Sequence, residues 1–396
     1  MSNILAVLKR KQDFKIDEKM ALDFRLRCRV LNADGFLKFL QTTSQQQTVS
    51  YLELVNEVSK NLHFEDVPDM RKTLKNKKEL KTTVINFFNE YMPKKADEVK
   101  QVFGGTHPAF TTPSGKNRVF IKKVFWGTKS SAVNHIPGNE FLNMMLCLNG
   151  NLEDYIAAAH EMSHALSASM QNSLISNQFY KDIDDKNEDY FKQDCICEIE
   201  SHITEKLFCE YMYKKGKFNA EDCKNFNDKA CEEQYFHSKL ISEEEKIVSQ
   251  IKYPITAKTL NELYNSLQQQ KNYHIVSRFK KMCYGYSDYN SCYVFRYFVA
   301  EVVADQWFKK YQSSNDNEKQ NMLNNFQDYL DKTTDLELDS ACQMLLGQNF
   351  DKIAINYVND LKRKNIKAKA KQIVEQAEDT LEDGEDVFAI WRIIGE

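Results

Sequence analysis

Glycine and proline are scarce: the 396-residue chain holds 12 Gly and 6 Pro, where average usage of ~7% and ~5% would give about 28 and 20. A sandwich or barrel of many short strands needs more turn formers than that, so a mainly helical protein is expected. No uninterrupted apolar run approaches the ~18 to 20 residues that cross a bilayer. The opening stretch MSNILAVLKRKQDFK carries its charges after a short apolar run, unlike a secretory signal. Neither sign of charge dominates, since 54 Lys plus Arg face 57 Asp plus Glu for a net charge of −3. Nothing in that balance points to nucleic acid or a membrane, and neither is expected as a partner. The 10 Cys are scattered without a disulfide-like spacing, so free thiols and a cytoplasmic location are expected, with leaderless export left open.

What the chain does have is apolar mass. At 42% hydrophobic and 12% aromatic it can bury a large core, which excludes disorder as its main state. Apolar residues recur at three and four in YLELVNEVSKNL and TTVINFFNEYM, the helical period. The basic run from Arg71 to Lys81 reads as a solvated helix face, because no aromatic or glycine interleaves with it. The texture changes in GGTHPAFTTPSGKNR, Gly104 to Arg118, which marks a boundary. Two runs rich in β-branched, aromatic and aliphatic residues follow, VFIKKVFW and FLNMMLCLN, and are expected to pair as strands. Helical periodicity resumes at Leu152. Three regions are therefore expected: helical at 1–103, a core of strands and helices at 104–311, and helical again at 312–396.

The segment AAAHEMSHAL contains His160, Glu161 and His164 in the pattern HExxH. On a helix, positions i and i+4 share a face, so both imidazoles can reach one Zn2+ at about 2.0 to 2.1 Å. Glu161 then stands beside water that the metal acidifies from a pKa of about 15.7 toward 7, and can take its proton. With only 8 His in the chain, a chance match is on the order of one in a hundred. An edge strand just before the motif would let an extended substrate pair beside the metal.

A catalytic zinc takes three protein ligands and keeps one position open. Candidates for the third lie in QDCICEIESHITEKLF: Glu198, Glu200, His202 and Glu205. Helical spacing groups Glu198, Ser201, His202 and Glu205 on one face and turns Glu200 away, toward solvent. Glu198 is the first choice and His202 the second, and Glu205 can hydrogen-bond a ligand histidine from behind. Farther on, in YGYSDYNSCYVFRYFVAEVVADQWF, Tyr289, Tyr293 and Tyr297 fall at successive i+4 steps. Such a stripe packs amphipathically, yet a phenol beside zinc can also donate to the oxyanion of a tetrahedral intermediate.

Taken together these segments resemble the thimet oligopeptidase and oligoendopeptidase F family of zinc metallopeptidases, in shortened form. NMMLCLNGNLEDYIAAAHEMSHAL is similar to the family's strand, turn and active-site helix, and CEIESHITE to its second ligand helix. The resemblance implies a mainly helical, elongated zincin-type fold with a small sheet beside the active-site helix. It implies Zn2+ on His160, His164 and Glu198, with Glu161 as general base. Tyr297 and then Tyr293 become the transition-state tyrosines, and Tyr289 a substrate contact. The expected activity is endopeptidase or oligopeptidase hydrolysis of a peptide or protein substrate. The alternatives are a specialised protease cutting one partner protein, as an effector or toxin would, and a catalytically silent binding protein derived from a peptidase. Oligomeric state is not legible.

Overall fold

The computed structural model describes residues 15–21, 51–62, 70–126 except 74, 130–135, 141–168, and 196–380 apart from 197, 249, 252–254, 272, 285–290 and 335. Its elements, in chain order, are helices α1 (Tyr51–Asn61), α2 (Lys77–Tyr91) and α3 (Ala96–Gly104), and strands β1 (Val119–Lys123), β2 (Ala132–His135) and β3 (Leu142–Leu148). Helices α4 (Glu153–Leu166), α5 (Ile199–Lys214), α6 (Ala220–Val248), α7 (Ala257–Gln269) and α8 (Tyr273–Tyr284) follow. The last four are α9 (Ser291–Ser313), α10 (Asp316–Leu330), α11 (Leu338–Leu346) and α12 (Phe350–Thr380). The fold is mainly helical with one small three-stranded sheet, as the shortage of glycine and proline requires. No helix among the described residues is long and apolar enough to cross a membrane.

The chain divides into two compact units, Met1–Val55 with His237–Phe295, and Asn56–Phe236 with Arg296–Glu396. The first has its own core, in which Leu260, Leu263 and Leu267 of α7 meet Phe279 and Met282 of α8, with Ile16 and Ile251 beside them. Asn261 fastens the segment at Ile16 by hydrogen bonds in both directions, of 3.0 and 2.8 Å.

The second unit carries the sheet and the HExxH helix. β3 is its central strand, parallel to β1 with Ile121 opposite Leu146, and antiparallel to β2 with Val133 opposite Met144. Two expectations are corrected here. The strand just before the motif is central, not an edge, and the edge facing the helix is β2. The polar segment SAVNH is short and lacks the apolar density that marks a strand in sequence. The basic run is likewise not one helix. Residues 71–73 lie alongside 150–152, with Thr73 N–H donating to the Gly150 carbonyl, and α2 starts only at Lys77, capped by Asn76.

The turn from β3 into α4 aims the motif. Gly150 has φ of +101°, where an added Cβ would also lie 2.8 Å from Lys75 Cε, so glycine is required there. Asp154, in the first turn of α4 and 4% exposed, accepts the backbone N–H groups of Asn149 and Gly150 at 2.8 and 2.9 Å. Burial nevertheless raises its pKa against those donors. Helix α5 then packs along α4 and is buried nearly all round, through Ile199, Ile203, Leu207, Phe208 and Met212. On the far side Phe87 of α2 meets Phe208 edge to face at 5.1 Å. Asp154→Ala strips two buried N–H groups of their acceptor and should lower stability by about 1 to 3 kcal/mol, measured as a shift of the urea midpoint with unchanged slope.

Candidate metal centre

His160 and His164 stand one turn apart on α4, and their Nε2 atoms are 3.1 Å from each other. Glu198, at the start of α5, brings Oε2 to 3.2 Å from His164 Nε2 and 3.6 Å from His160 Nε2. The three residues form a group whose ligand atoms all lie within 4.8 Å, enough to hold a metal ion.

The surroundings fix which atoms face inward. His160 Nδ1 is 2.8 Å from Glu205 Oε1, so its proton belongs there and the Nε2 lone pair points to the centre. A proton on His164 Nε2 can serve only one of its two neighbours, whereas a cation at the centre satisfies all three atoms. Ligands placed tetrahedrally at ~2.0 to 2.1 Å from a Zn2+ ion lie about 3.3 Å apart. The observed separations of 3.1, 3.2 and 3.6 Å bracket that spacing. The donor set and its dimensions therefore fit a tetrahedral divalent cation with one position left for a non-protein ligand.

Glu198 is 3% exposed. Burial pushes its carboxyl up, but His164, Arg296 and His160 together outweigh burial and hold it well below the usual range. Ser201 Oγ donates to Oε2 at 3.2 Å, and Arg296 Nε stands 3.3 Å from Oε1. Glu161 is 8% exposed and faces the same space. Burial raises its pKa, against the two histidines and the Val133 backbone N–H of β2, which donates to its carboxylate. Ser163 between the histidines is fully buried, its hydroxyl turned back to the His160 carbonyl at 2.8 Å.

Glu200 is not the solvent-facing acid that helical spacing predicts. It has no exposure, and its Oε1 lies 3.5 Å from His164 Nδ1, an ion-pair distance too long for a hydrogen bond. The projection failed because α5 has no solvent side at its first turn: Ile199, Glu200, Ser201, Ile203 and Thr204 are all buried. Neither carboxylate oxygen has a hydrogen-bond partner, and burial raises the pKa against the pull of His164.

His202, the second choice for third ligand, is engaged elsewhere. Its Nδ1 is 3.0 Å from Glu301 Oε2 of α9, and Glu301 Oε1 accepts from Lys206 Nζ at 2.8 Å. Burial opposes the charge on Glu301, yet Lys206 and His202 bring its pKa down to about 2. The His202 ring lies between the site and the tyrosine, 6.3 Å from the ring of His160 and 6.1 Å from that of Tyr297. Tyr297 accepts from Arg296 Nη2 at 3.2 Å, which links it to the same arginine that meets Glu198. Tyr293 is one turn earlier on α9, but its side chain lies outside the described residues, as does all of Tyr289.

Sequence reading set Glu200 aside and missed Arg296, Glu301 and Lys206. Arg296 and Glu301 flank Tyr297 at i−1 and i+4, so a search of that helix for charged residues among apolar ones would have found both.

No profile of a known family matches the sequence, and no curated protein does. Among solved structures the chain is similar to a provisionally named peptidase from Chlamydophila abortus, with 17% identity, a TM-score of 0.47, and coverage of 88% of this chain and 61% of that one. It is also similar to a provisionally named oligoendopeptidase F from Bacillus anthracis str. Ames, with 12% identity, a TM-score of 0.48, and coverage of 89% and 57%. The chain thus spans about three fifths of the length of either.

Elemental analysis of the purified protein checks the ligand set. Glu198→Ala should lose stoichiometric divalent metal, and Glu205→Ala should weaken metal affinity by about 10- to 100-fold. His202→Ala should retain the metal content of the parent chain.

Proposed function

We propose that this protein is a zinc-dependent endopeptidase or oligopeptidase. The observation that carries the reading is the meeting of two imidazole nitrogens and one carboxylate oxygen at 3.1, 3.2 and 3.6 Å, with a buried carboxylate from the same helix turn beside them. Two His and one Glu suit Zn2+ best, and cobalt or manganese less well. The motif-level resemblance to the thimet oligopeptidase and oligoendopeptidase F family supports the same choice.

His160, His164 and Glu198 would hold the ion, which when bound supplies Lewis acidity toward a water molecule and the scissile carbonyl. The protein's own groups account for the rest. Glu161 takes the proton of the attacking water and delivers it to the leaving amine, which requires a carboxylate shielded from bulk solvent and held in one rotamer. The Val133 N–H supplies that restraint. Because Val133 belongs to the edge strand β2, an extended peptide adding to that edge would run past Glu161. Arg296 donates to the Tyr297 oxygen, which directs the phenolic proton away from Arg296, and we assign that proton as the donor to the oxyanion. Glu205 and Glu200 back the two ligand imidazoles, and the Glu301–Lys206 pair fixes the His202 ring beside them.

Two variants test the reading with a quenched-fluorescence peptide library. Glu161→Gln should keep the metal and abolish turnover, and retained turnover in that variant would overturn the proposal. Tyr297→Phe removes one oxyanion donor and should lower kcat by ~100- to 1000-fold with little change in KM.

A further inference from the structure

The basic run that reads as a solvated helix face is joined in the fold by two aromatic residues some fifty positions away. Just past β1 the chain presents Phe125 at 79% and Trp126 at 91% exposure, the two most exposed large apolar side chains among the described residues of the second unit. Lys75 ties this tip to the entry of α2: its ammonium donates to the Val124 carbonyl and sits 5.8 Å from the centre of the Phe125 ring. Lys75, Lys77, Lys78 and Lys123, with Asn76 and Phe125, line an open depression of about 700 Å3.

Among the described residues no carboxylate lies within 4 Å of any of the four lysines. Lys75 is attracted to the buried Asp154 only at longer range, and Glu79, Asp222 and Glu153 pair with Lys217, Arg71 and Lys229. Lys77 and Lys78 also open helix α2, where the macrodipole favours anions over cations. Folding stability does not explain such an arrangement. A negatively charged surface that meets the lysines while the two rings leave water does.

We infer that this face docks on anionic lipid. Two strongly exposed aromatic residues in succession just past a strand suit insertion at a bilayer interface, where tryptophan is favoured. The face of Phe125 already holds the Lys75 ammonium, which works against base stacking. Lysines act as point charges and need no bidentate partner, as a diffuse anionic plane provides. Neutral net charge hid this from composition, and the distance in sequence between Lys78 and Phe125 hid it from the motif search.

The test is flotation of the full chain with vesicles of phosphatidylcholine alone and with phosphatidylserine-rich vesicles, at low and high salt. The chain should float with the serine-headed vesicles only, and less so in high salt. Phe125→Ser with Trp126→Ser should weaken binding at least about tenfold, and Lys77→Gln with Lys78→Gln roughly fivefold per lysine. The chain has 3 Trp and Trp307 is fully buried, so in a Trp391→Phe background a blue shift of emission on adding vesicles reports Trp126. Absence of flotation, binding unchanged in both double variants, or binding of a single-stranded oligonucleotide with vesicles left free would each overturn the inference. No turnover is read, and Glu161→Gln should bind vesicles like the parent chain, so the result stands apart from the peptidase reading.

Discussion

Everything in the second unit's centre depends on one unfavourable juxtaposition: two imidazole nitrogens and a carboxylate oxygen pressed within 3.6 Å of each other in a region largely shielded from bulk water. Such a group is destabilising unless a cation fills it, because buried acceptors without donors forfeit their hydration. The surrounding carboxylates sharpen the point. Glu161, Glu198, Glu200, Glu205 and Glu301 are clustered about the site, against Arg296 and Lys206 as permanent cations. A divalent ion would offset much of that negative charge, beside the positive charge that the carboxylates already favour on His164 and His202. The same field would suit the proposed hydrolysis, in which a carboxylate beside a bound ion acts as general base on water.

The backbone makes this juxtaposition hold. Asp154 locks the turn that converts the direction of β3 into that of α4, and Gly150 supplies the one conformation the turn needs. Helix α5 is then clamped on both sides by apolar packing, so its polar residues Glu198, Glu200 and Ser201 have nowhere to go but inward. Confinement by hydrophobic neighbours, rather than attraction among the charges, keeps like-charged groups within reach of one another. Ser163, fully buried between the two histidines with its hydroxyl spent on its own helix, shows how little room the α4–α5 contact allows.

The helical class followed from two scarce residue types, and the closeness of His160 and His164 from a single five-residue spacing, because both depend only on local geometry. The Glu198 assignment was reachable for the same reason, from the period of one helix. Glu200 defeated that reasoning: a projection tells which residues share a face, not whether the opposite face meets water. Strand β2 escaped because four residues of mixed polarity carry no signal until β3 pairs with them. Lys206 and Glu301 find each other across 95 positions and Arg296 reaches Glu198 from another helix, contacts that leave no periodic trace in the sequence. The meeting of Lys75 with Phe125 is a contact of this kind too.

The Glu301 network shows how the inner residues divide their labour. A histidine beside a cation would compete as a ligand if its ring were free to turn. In His202 one nitrogen is bound to Glu301 Oε2, and Lys206 holds the other oxygen of that carboxylate, so the ring cannot rotate into the ligand group without breaking a buried pair. Removing one partner of such a pair leaves an uncompensated buried charge, which is the costlier outcome. The network therefore keeps His202 out of the three-residue group, while leaving its ring between His160 and Tyr297. An imidazole fixed there would meet a substrate without competing for a bound ion, which is the separation of roles that the proposed hydrolytic centre needs.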